Sequence, residues 1–203
     1  VWSTERARFI AAIKEANSQP GTQAQRAYAR AVYGTHPYGY EPDDTSLQAI
    51  TPHDLRQFHD RYLTACRARV SIVGALNRAQ AEAAVERLLS LLPSGGNCEA
   101  LPGVSDVQPL QAATERIIAL NSAQAHVLMG QPGIARSDPA FFPITVGNYI
   151  LGGGGFVSRL TEQVREKRGL SYSVYSYFAP GLHAGAFTVG LQTRPDQATQ
   201  AVQ

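Results

Sequence analysis

The sequence lacks any pair of histidines at the spacing of a zinc site. Its five histidines stand at positions 36, 53, 59, 126 and 183. A helical zinc site needs two imidazoles one turn apart with a nearby carboxylate, as in H-x-x-E-H. His53 and His59 belong to one predicted helix, but six residues separate them and they fall on different faces. The sequence therefore predicts no metal-ligating histidine in this chain.

Cysteine is scarce, since only Cys66 and Cys98 are present. They lack the C-x-x-C spacing of a cysteine metal site. A disulfide between them would require an oxidising compartment, and two cysteines in a chain of this length is an ordinary number. The sequence therefore favours two free thiols.

Long apolar runs and dense clusters of charge are also missing. No run approaches the roughly 20 apolar residues that span a bilayer. The 18 basic and 16 acidic residues leave a net charge of +2, and no dense Lys/Arg run exists, which argues against nucleic acid and anionic membranes as partners. Hydrophobic residues make up 44% of the chain, enough to bury a core.

The apolar periodicity predicts an α+β fold with mainly antiparallel sheets flanked by helices. Thr51, Asn77 and Ser158 are predicted helix N-caps, and residues 35–46 a polar loop. The predicted helices cover residues 3–17, 22–33, 52 onward, 77–92, 138–151, 159–167 and 195 onward. The predicted strands cover 68–74, 114–120, 125–131, 171–178 and 184–193, the last two as a hairpin. The prolines and small residues that begin at position 93 predict a linker. The predicted domains are therefore residues 1–92 and 114–203, joined by residues 93–113.

Four consecutive glycines, Gly152, Gly153, Gly154 and Gly155, form the segment LGGGGFVSRL. A phosphate cradle would follow a strand and continue into a lysine, and neither condition is met. A flexible joint between two helices is one interpretation of this segment. A backbone that lets an extended peptide pass closely is another, because glycine has no side chain to obstruct the approach.

Arg165 and Tyr172 lie seven residues apart in the segment REKRGLSY. A turn at Gly169 would bring the end of a helix and the start of a strand together, so both side chains could hold a peptide carbonyl. The structural interpretation is a helix-terminal arginine that favours the helix dipole and a half-buried strand tyrosine. The residues alone favour the structural interpretation.

Five segments, in this order, resemble the bacterial branch of the pitrilysin–insulinase family of zinc metallopeptidases, which is related to the mitochondrial processing peptidase. They are TERARFIAAIKEANSQP, YGTHPYG, AITPHDLRQFHDRYL, VSIVG and NYILGGGGFVSRLTEQVREKRGLSYSVYSYF. The resemblance implies two similar α+β domains in each half-protein, with residues 1–92 the latter part of the first domain and residues 114–203 the earlier part of the second. The first domain carries H-x-x-E-H and a downstream glutamate as zinc ligands, and peptide adds as a strand to its sheet edge. The second supplies Arg165 and Tyr172, with Gly152–Gly155 beside them, to hold the substrate.

The third-ligand helix of that family departs from its pattern in this sequence. The resemblance places Ala7 where the family has a supporting glutamate and Lys14 where it has the ligand. A lysine ammonium has no lone pair to donate and repels Zn²⁺. Glu15 is adjacent but points about 100° away around the helix. We therefore expect no catalytic residue and no cofactor in this chain, with zinc held elsewhere in an active assembly.

These observations predict a non-catalytic part of a pitrilysin-like zinc peptidase that positions extended peptides for a homologous zinc-bearing domain or subunit, as a homo- or heterodimer. One alternative is a fragment of an active zinc endopeptidase whose H-x-x-E-H lies outside this sequence. The other is a structural or scaffolding subunit. The resemblance suggests the periplasm as the compartment, and it leaves substrate and cleavage preference open.

Overall fold

The computed structural model describes residues 1–93, 98 and 100–203. They form two compact units, the first from residues 1–10 and 43–103 and the second from residues 11–42 and 104–203. The predicted boundaries, which give domains of residues 1–92 and 114–203, refer to the repeated domains of the family, and they stay a prediction. Residues 94–97 and 99, which fall in the predicted linker, lie outside the described residues.

Helices dominate the chain up to residue 89. They are α1 (Trp2–Asn17), α2 (Pro20–Tyr33), α3 (Asp44–Ala49), α4 (Pro52–Tyr62) and α5 (Arg78–Leu89), with 3₁₀ turns at Pro37–Gly39 and Ala65–Arg67. Thr51 and Asn77 form capping boxes with Asp54 and Gln80, as their predicted N-cap roles require. The predicted loop over 35–46 is wrong at its end, because Asp43 forms a third capping box and begins α3.

A disulfide joins Cys66 and Cys98, and the expectation of two free thiols is therefore wrong. Cys66 lies in the 3₁₀ turn after α4, and the two Cα atoms are 6.2 Å apart. This separation is within the usual range for a disulfide. The pairing depends on how the chain returns after α5, which local patterns in the sequence do not encode.

Two predicted strands, residues 68–74 and 114–120, are not strands in the structure. A strand needs a neighbour with which to exchange backbone hydrogen bonds, and neither segment has one among the described residues. Their apolar side chains are largely exposed, Val73 fully so. Apolar alternation therefore identified segments suited to a sheet but could not supply the partner.

The second unit contains a three-stranded antiparallel sheet in the order β1-β3-β2. The strands are β1 (Ala125–Pro132), β2 (Ser173–Phe178) and β3 (Ala186–Thr193). β2 and β3 form the predicted hairpin, with Ser173 opposite Gln192. One face packs on a buried cluster of Leu170, Val174, Leu191 and Ala201, joined by Val127, Leu160 and Val164. The fold is α+β, as predicted.

Three tyrosines on and just after α2 hold the backbone of β3 and the turn before it. The Tyr28 hydroxyl donates to the carbonyl of Phe187 (3.0 Å), the Ala186 N–H donates to Tyr33 (2.8 Å), and the His183 N–H donates to Tyr38 (3.1 Å). The THPYG segment thus has a structural role within this unit.

The remaining helical segments surround the glycine run. Helix α6 (Phe141–Asn148) continues into a first π-helix (Tyr149–Gly153), and a 3₁₀ turn follows at Gly155–Val157. A second π-helix covers Thr161–Glu166. The chain ends with a 3₁₀ turn at Pro195–Gln197 and α7 (Ala198–Val202). None of the helices in the described part of the chain is long and apolar enough to cross a membrane.

Candidate functional site

A groove of about 430 Å³ lies where the glycine run meets β2. Gly152, Gly153 and Gly155 line one side, and Arg165 and Tyr172 line it together with the outer residues of β2. The remaining lining residues are Phe156, Thr161, Ser173, Val174, Tyr175, Ser176 and Tyr177. A larger depression, about 550 Å³, runs along α4, but its five lining residues all come from that single helix. The groove is therefore the candidate site, because several elements converge there.

Both π-helices border this groove. The first contains Gly152 and Gly153, and the second carries Arg165. A π-helical turn replaces the regular helix by a wider one and is frequent at functional sites. Two such segments lining one groove mark it as a place where the backbone departs from its most favourable form.

The four glycines are not equivalent. A Cβ on Gly152 would lie 2.5 Å from the Ser176 hydroxyl and 2.6 Å from the Ser176 nitrogen, so this glycine permits the π-helix to touch β2. Gly155 has φ +60°, which favours glycine. Gly152 is buried, whereas Gly153 and Gly155 are exposed toward solvent. Within the run, Gly152 therefore serves packing against β2, whereas Gly153 and Gly155 lie at the surface of the groove.

Asn148 and Ser176 join the helix before the glycine run to β2. The Asn148 amide nitrogen donates to the Ser176 carbonyl (3.1 Å), and the Ser176 hydroxyl donates to the Asn148 amide oxygen (2.7 Å). Ser176 is almost fully buried. This reciprocal pair fixes the height of the glycine run above the strand.

Two buried hydroxyls hold the end of the glycine run. The carbonyl of Gly155 accepts from the hydroxyls of Ser158 (2.8 Å) and Thr161 (2.9 Å). Ser158 also accepts from the Thr161 N–H at 3.4 Å and so begins the next helix, as its predicted cap role requires. The same two residues therefore position the glycine run and the helix that carries Arg165.

Arg165 and Tyr172 are brought together, but through a stacking contact. The carbon Cζ of the Arg165 guanidinium lies 4.9 Å from the ring centroid of Tyr172 and also 4.9 Å from that of Phe156. Gly169, with φ +61°, makes the turn between them. Arg165 is half-buried, and no hydrogen bond or ion pair to its guanidinium occurs among the described residues. Its N–H groups remain available to a ligand.

Tyr172 points outward because both of its preceding neighbours are fixed inward. Leu170 belongs to the buried cluster, and the Ser171 hydroxyl donates to the carbonyls of Ser173 and Gln192, each at 2.6 Å. The side chain of Tyr172 is 81% exposed. The structural interpretation, in which this tyrosine is half-buried, is therefore wrong, and its hydroxyl is accessible at the groove.

Charges near Arg165 are largely satisfied by each other. Glu162 and Lys167 form an ion pair of 2.7 Å, and the hydrogen bond from Lys167 lowers the pKa of Glu162. Burial raises the pKa of Tyr175, which also lines the groove and whose ring covers Gly190 on β3. Both shifts keep these groups in their ordinary charge state at neutral pH, so Arg165 is the cation that the groove offers.

The described residues do not fit a zinc ion. They contain no group of three His, Cys, Asp or Glu side chains that could hold a metal. His36 and His183 have ring centroids 5.5 Å apart, but His36 is engaged by the Tyr38 N–H and the Ser105 carbonyl, and His183 by Asp106. The expected third-ligand position is a lysine, Lys14. No step of a reaction is therefore assigned to a metal in this chain.

The profile described as "Peptidase M16 inactive domain" matches residues 49–203. The chain belongs to the peptidase M16 family. An uncharacterized zinc protease of Streptomyces coelicolor is 32% identical over 200 residues, covering 95% of this chain and 43% of the relative. An uncharacterized zinc protease of Bacillus subtilis is 28% identical over 191 residues. These matches confirm the predicted resemblance to zinc metallopeptidases. They also confirm the prediction that the chain corresponds to an inactive portion of such a peptidase.

Solved structures agree with this family assignment. The peptidase M16 inactive domain from Pseudomonas fluorescens superposes with a TM-score of 0.92 at 34% identity, covering 99% of this chain and 48% of that one. A protease from Helicobacter pylori has a TM-score of 0.86 at 18% identity and shows the shared fold. The chain spans 48% and 50% of the length of these two proteins, and 43% of the Streptomyces protein.

Sequence reasoning missed three features of the site. Phe156 contacts Arg165, Asn148 holds Ser176, and Ser158 with Thr161 holds the Gly155 carbonyl. Ser158 was predicted only as a helix cap. An aromatic residue directly after a glycine run was the one signal that could have identified Phe156.

Proposed function

We propose that this chain is the substrate-holding, non-catalytic part of an M16 zinc peptidase. The observation that carries the proposal is the guanidinium of Arg165, half-buried at the groove with no acceptor for its N–H groups among the described residues. The faces of the guanidinium contact Phe156 and Tyr172, so the N–H groups at its edge are the part that a ligand could engage. Carbonyl groups of an extended peptide are suitable acceptors, and Tyr172 adds an exposed hydroxyl at the same groove.

The exposed part of the glycine run would give such a peptide room. Gly153 and Gly155 are exposed at the groove, and a Cβ added to Gly155 would meet no atom within 4 Å, so a peptide backbone can approach closely there. In this proposal, Gly152, Gly153 and Gly154 also contribute by allowing the run to pack closely. A Cβ on these glycines would collide with Ser176, Asn148 and Tyr149, respectively.

Zinc and the catalytic base would come from a homologous domain or subunit. Relatives are named zinc proteases, while this chain has a lysine at position 14 and no metal-binding group among its described residues. Arg165 and Tyr172 would orient the peptide and stabilise negative charge that develops on its carbonyl oxygen during attack. We propose a homo- or heterodimer in which the zinc-bearing counterpart faces the groove.

The test compares substitutions of Arg165 and Tyr172 with a matched control in the assembled enzyme. Tyr172→Phe removes one donor and should lower the cleavage rate of a quenched fluorescent peptide about a hundredfold, roughly 3 kcal/mol. Arg165→Ala should cost at least as much, because a charged donor is lost. The control is Arg168→Ala, an exposed arginine three residues farther along. It should cleave at the wild-type rate.

Thermal melting of the same variants separates function from folding. All three should melt within a few degrees of the wild type, since none of the side chains is buried in the core. Wild-type rates in both Arg165→Ala and Tyr172→Phe would favour the scaffolding subunit instead. Loss of folding would favour a structural role for REKRGLSY.

A further inference from the structure

Phe156 is an exposed aromatic residue that touches the proposed substrate-holding arginine. Its side chain is 72% exposed, and its ring centroid lies 4.9 Å from Cζ of Arg165. Tyr172 stands at the same distance from Arg165. The two rings make no contact with each other. The guanidinium therefore contacts both aromatic side chains and links them at the groove.

The backbone of Phe156 is held although its side chain is exposed. The residue before it, Gly155, has its carbonyl hydrogen-bonded by Ser158 and Thr161, whose side chains are buried. The Ser158 N–H also donates to that carbonyl at 3.1 Å. Three donors on one carbonyl fix the turn that presents the ring. A large exposed apolar side chain on a fixed turn is suited to a defined contact, and the contact present is with Arg165.

Stacking against rings determines which part of a guanidinium stays free. A ring face attracts the face of the cation through its quadrupole, and the N–H groups point outward in the guanidinium plane. Since no described residue accepts from those N–H groups, stacking is the interaction that sets their direction. Without a ring at position 156, Arg165 would keep one aromatic neighbour and gain rotational freedom, which a ligand would have to remove on binding.

We propose that Phe156 is a positioning residue of the substrate-holding site. With Tyr172, it holds the guanidinium of Arg165 so that the N–H edge meets the carbonyl groups of an extended peptide in the groove. This inference rests on the proposed function. It adds that the ring of Tyr172 acts on Arg165, besides any hydrogen bond that its hydroxyl makes to the peptide.

The test uses the full-length protein assembled with its zinc-bearing counterpart. Phe156→Leu removes the ring but keeps apolar bulk, Phe156→Tyr keeps the ring, and Val157→Ala is the matched control in the same turn, where Val157 is 78% exposed. Phe156→Leu should lower kcat/KM for a quenched fluorescent peptide about twofold to fivefold, the factor expected for one exposed cation–π contact. Phe156→Tyr keeps the ring and should cleave at the wild-type rate, and Val157→Ala should have no effect.

A second measurement reports on Arg165 itself. Modification by phenylglyoxal, followed by peptide mapping and mass spectrometry, gives the reaction rate of this one guanidinium. The rate should rise in Phe156→Leu and stay at the wild-type value in Phe156→Tyr and Val157→Ala. A merely apolar surface contact of Phe156 would not change it.

The outcomes separate this inference from the proposal on which it rests. If Arg165→Ala cleaves like the wild type, the proposed function fails and the positioning role fails with it. If Arg165→Ala is impaired but Phe156→Leu matches the wild type in both measurements, Arg165 holds substrate without help from Phe156. Equal impairment of Phe156→Leu and Phe156→Tyr, or a large drop in melting temperature of Phe156→Leu, would also overturn the positioning role.

Discussion

Replacing Gly152 by alanine should destabilise the second unit, because the position has no room for a methyl group. The added Cβ would lie 2.5 Å from the Ser176 hydroxyl, 2.6 Å from the Ser176 nitrogen and 2.7 Å from a methyl carbon of Leu160. The nitrogen belongs to the backbone of β2, which is paired with β3 and cannot move alone. The π-helix must therefore shift away from the strand.

The expected cost follows from two losses. Forcing a methyl group into a filled space costs about 1–3 kcal/mol. The shift also strains the reciprocal hydrogen bonds between Asn148 and Ser176, each worth about 0.5–1.5 kcal/mol. Alanine regains about 0.5–1 kcal/mol through its lower backbone entropy when unfolded. We expect a net loss of about 2–3 kcal/mol, or roughly 5–10 °C in Tm for a unit of this size.

Gly147→Ala is the matched control, since Gly147 lies five residues earlier, in α6. A Cβ there meets no atom within 4 Å. Alanine is the better helix former, so this variant should be more stable by about 0.5–1 kcal/mol. The two substitutions are chemically identical and should have opposite effects.

Denaturant unfolding gives the free energies, and hydrogen exchange with mass spectrometry locates the change. Gly152→Ala should lose protection in α6 and β2, while segments of the first unit keep theirs. If Gly152→Ala unfolds like the wild type, the close packing of the glycine run on β2 is wrong. The four glycines would then be a flexible joint, as one interpretation of the sequence allowed.

Two further predictions concern other contacts. Replacing Cys66 and Cys98 by serine should lower the free energy of unfolding of the first unit by about 3–4 kcal/mol, measured by denaturant unfolding. This is the entropy of closing a loop of 32 residues. Unchanged stability, or continued sensitivity to reductant, would contradict the disulfide. Burial raises the pKa of Tyr28 above its ordinary 10.0, so the neutral form that donates to Phe187 is favoured in the folded state. Its contribution is present below pH 10.0 and lost as pH rises further, so melting curves of wild type and Tyr28→Phe should converge in strong alkali.

The sequence predicted the local structure well where short-range chemistry decides it. Thr51 and Asn77 begin helices because their side chains bond the N–H three residues on. The hairpin of β2 and β3 follows from two alternating segments close together in the chain. Gly169 makes the turn between Arg165 and Tyr172 because only glycine adopts its positive φ without strain.

Long-range features of the structure could not be predicted from the sequence, and the reason is physical. The disulfide, the tyrosine hydrogen bonds to β3 and the Asn148–Ser176 pair all join residues distant in sequence. Residues 68–74 show the converse: their alternation suits a strand, but no partner strand for them occurs in the part of the chain that the structure describes. Spacing could place Arg165 near Tyr172 but not choose between converging donors and a stacked pair.

The surroundings of Arg165 also bear on why a domain described as inactive would keep an arginine at this place. A purely structural arginine is usually stabilised by a carboxylate or by backbone carbonyls of its own chain. Glu162 lies one turn earlier on the same helix, yet it pairs with Lys167 instead. The guanidinium is left between two aromatic rings with its donors unused by the described residues. Because the nearest carboxylate is already paired, this arrangement favours a ligand from outside the chain as the acceptor for the guanidinium. A peptide bound in the groove would supply the acceptors that the fold does not.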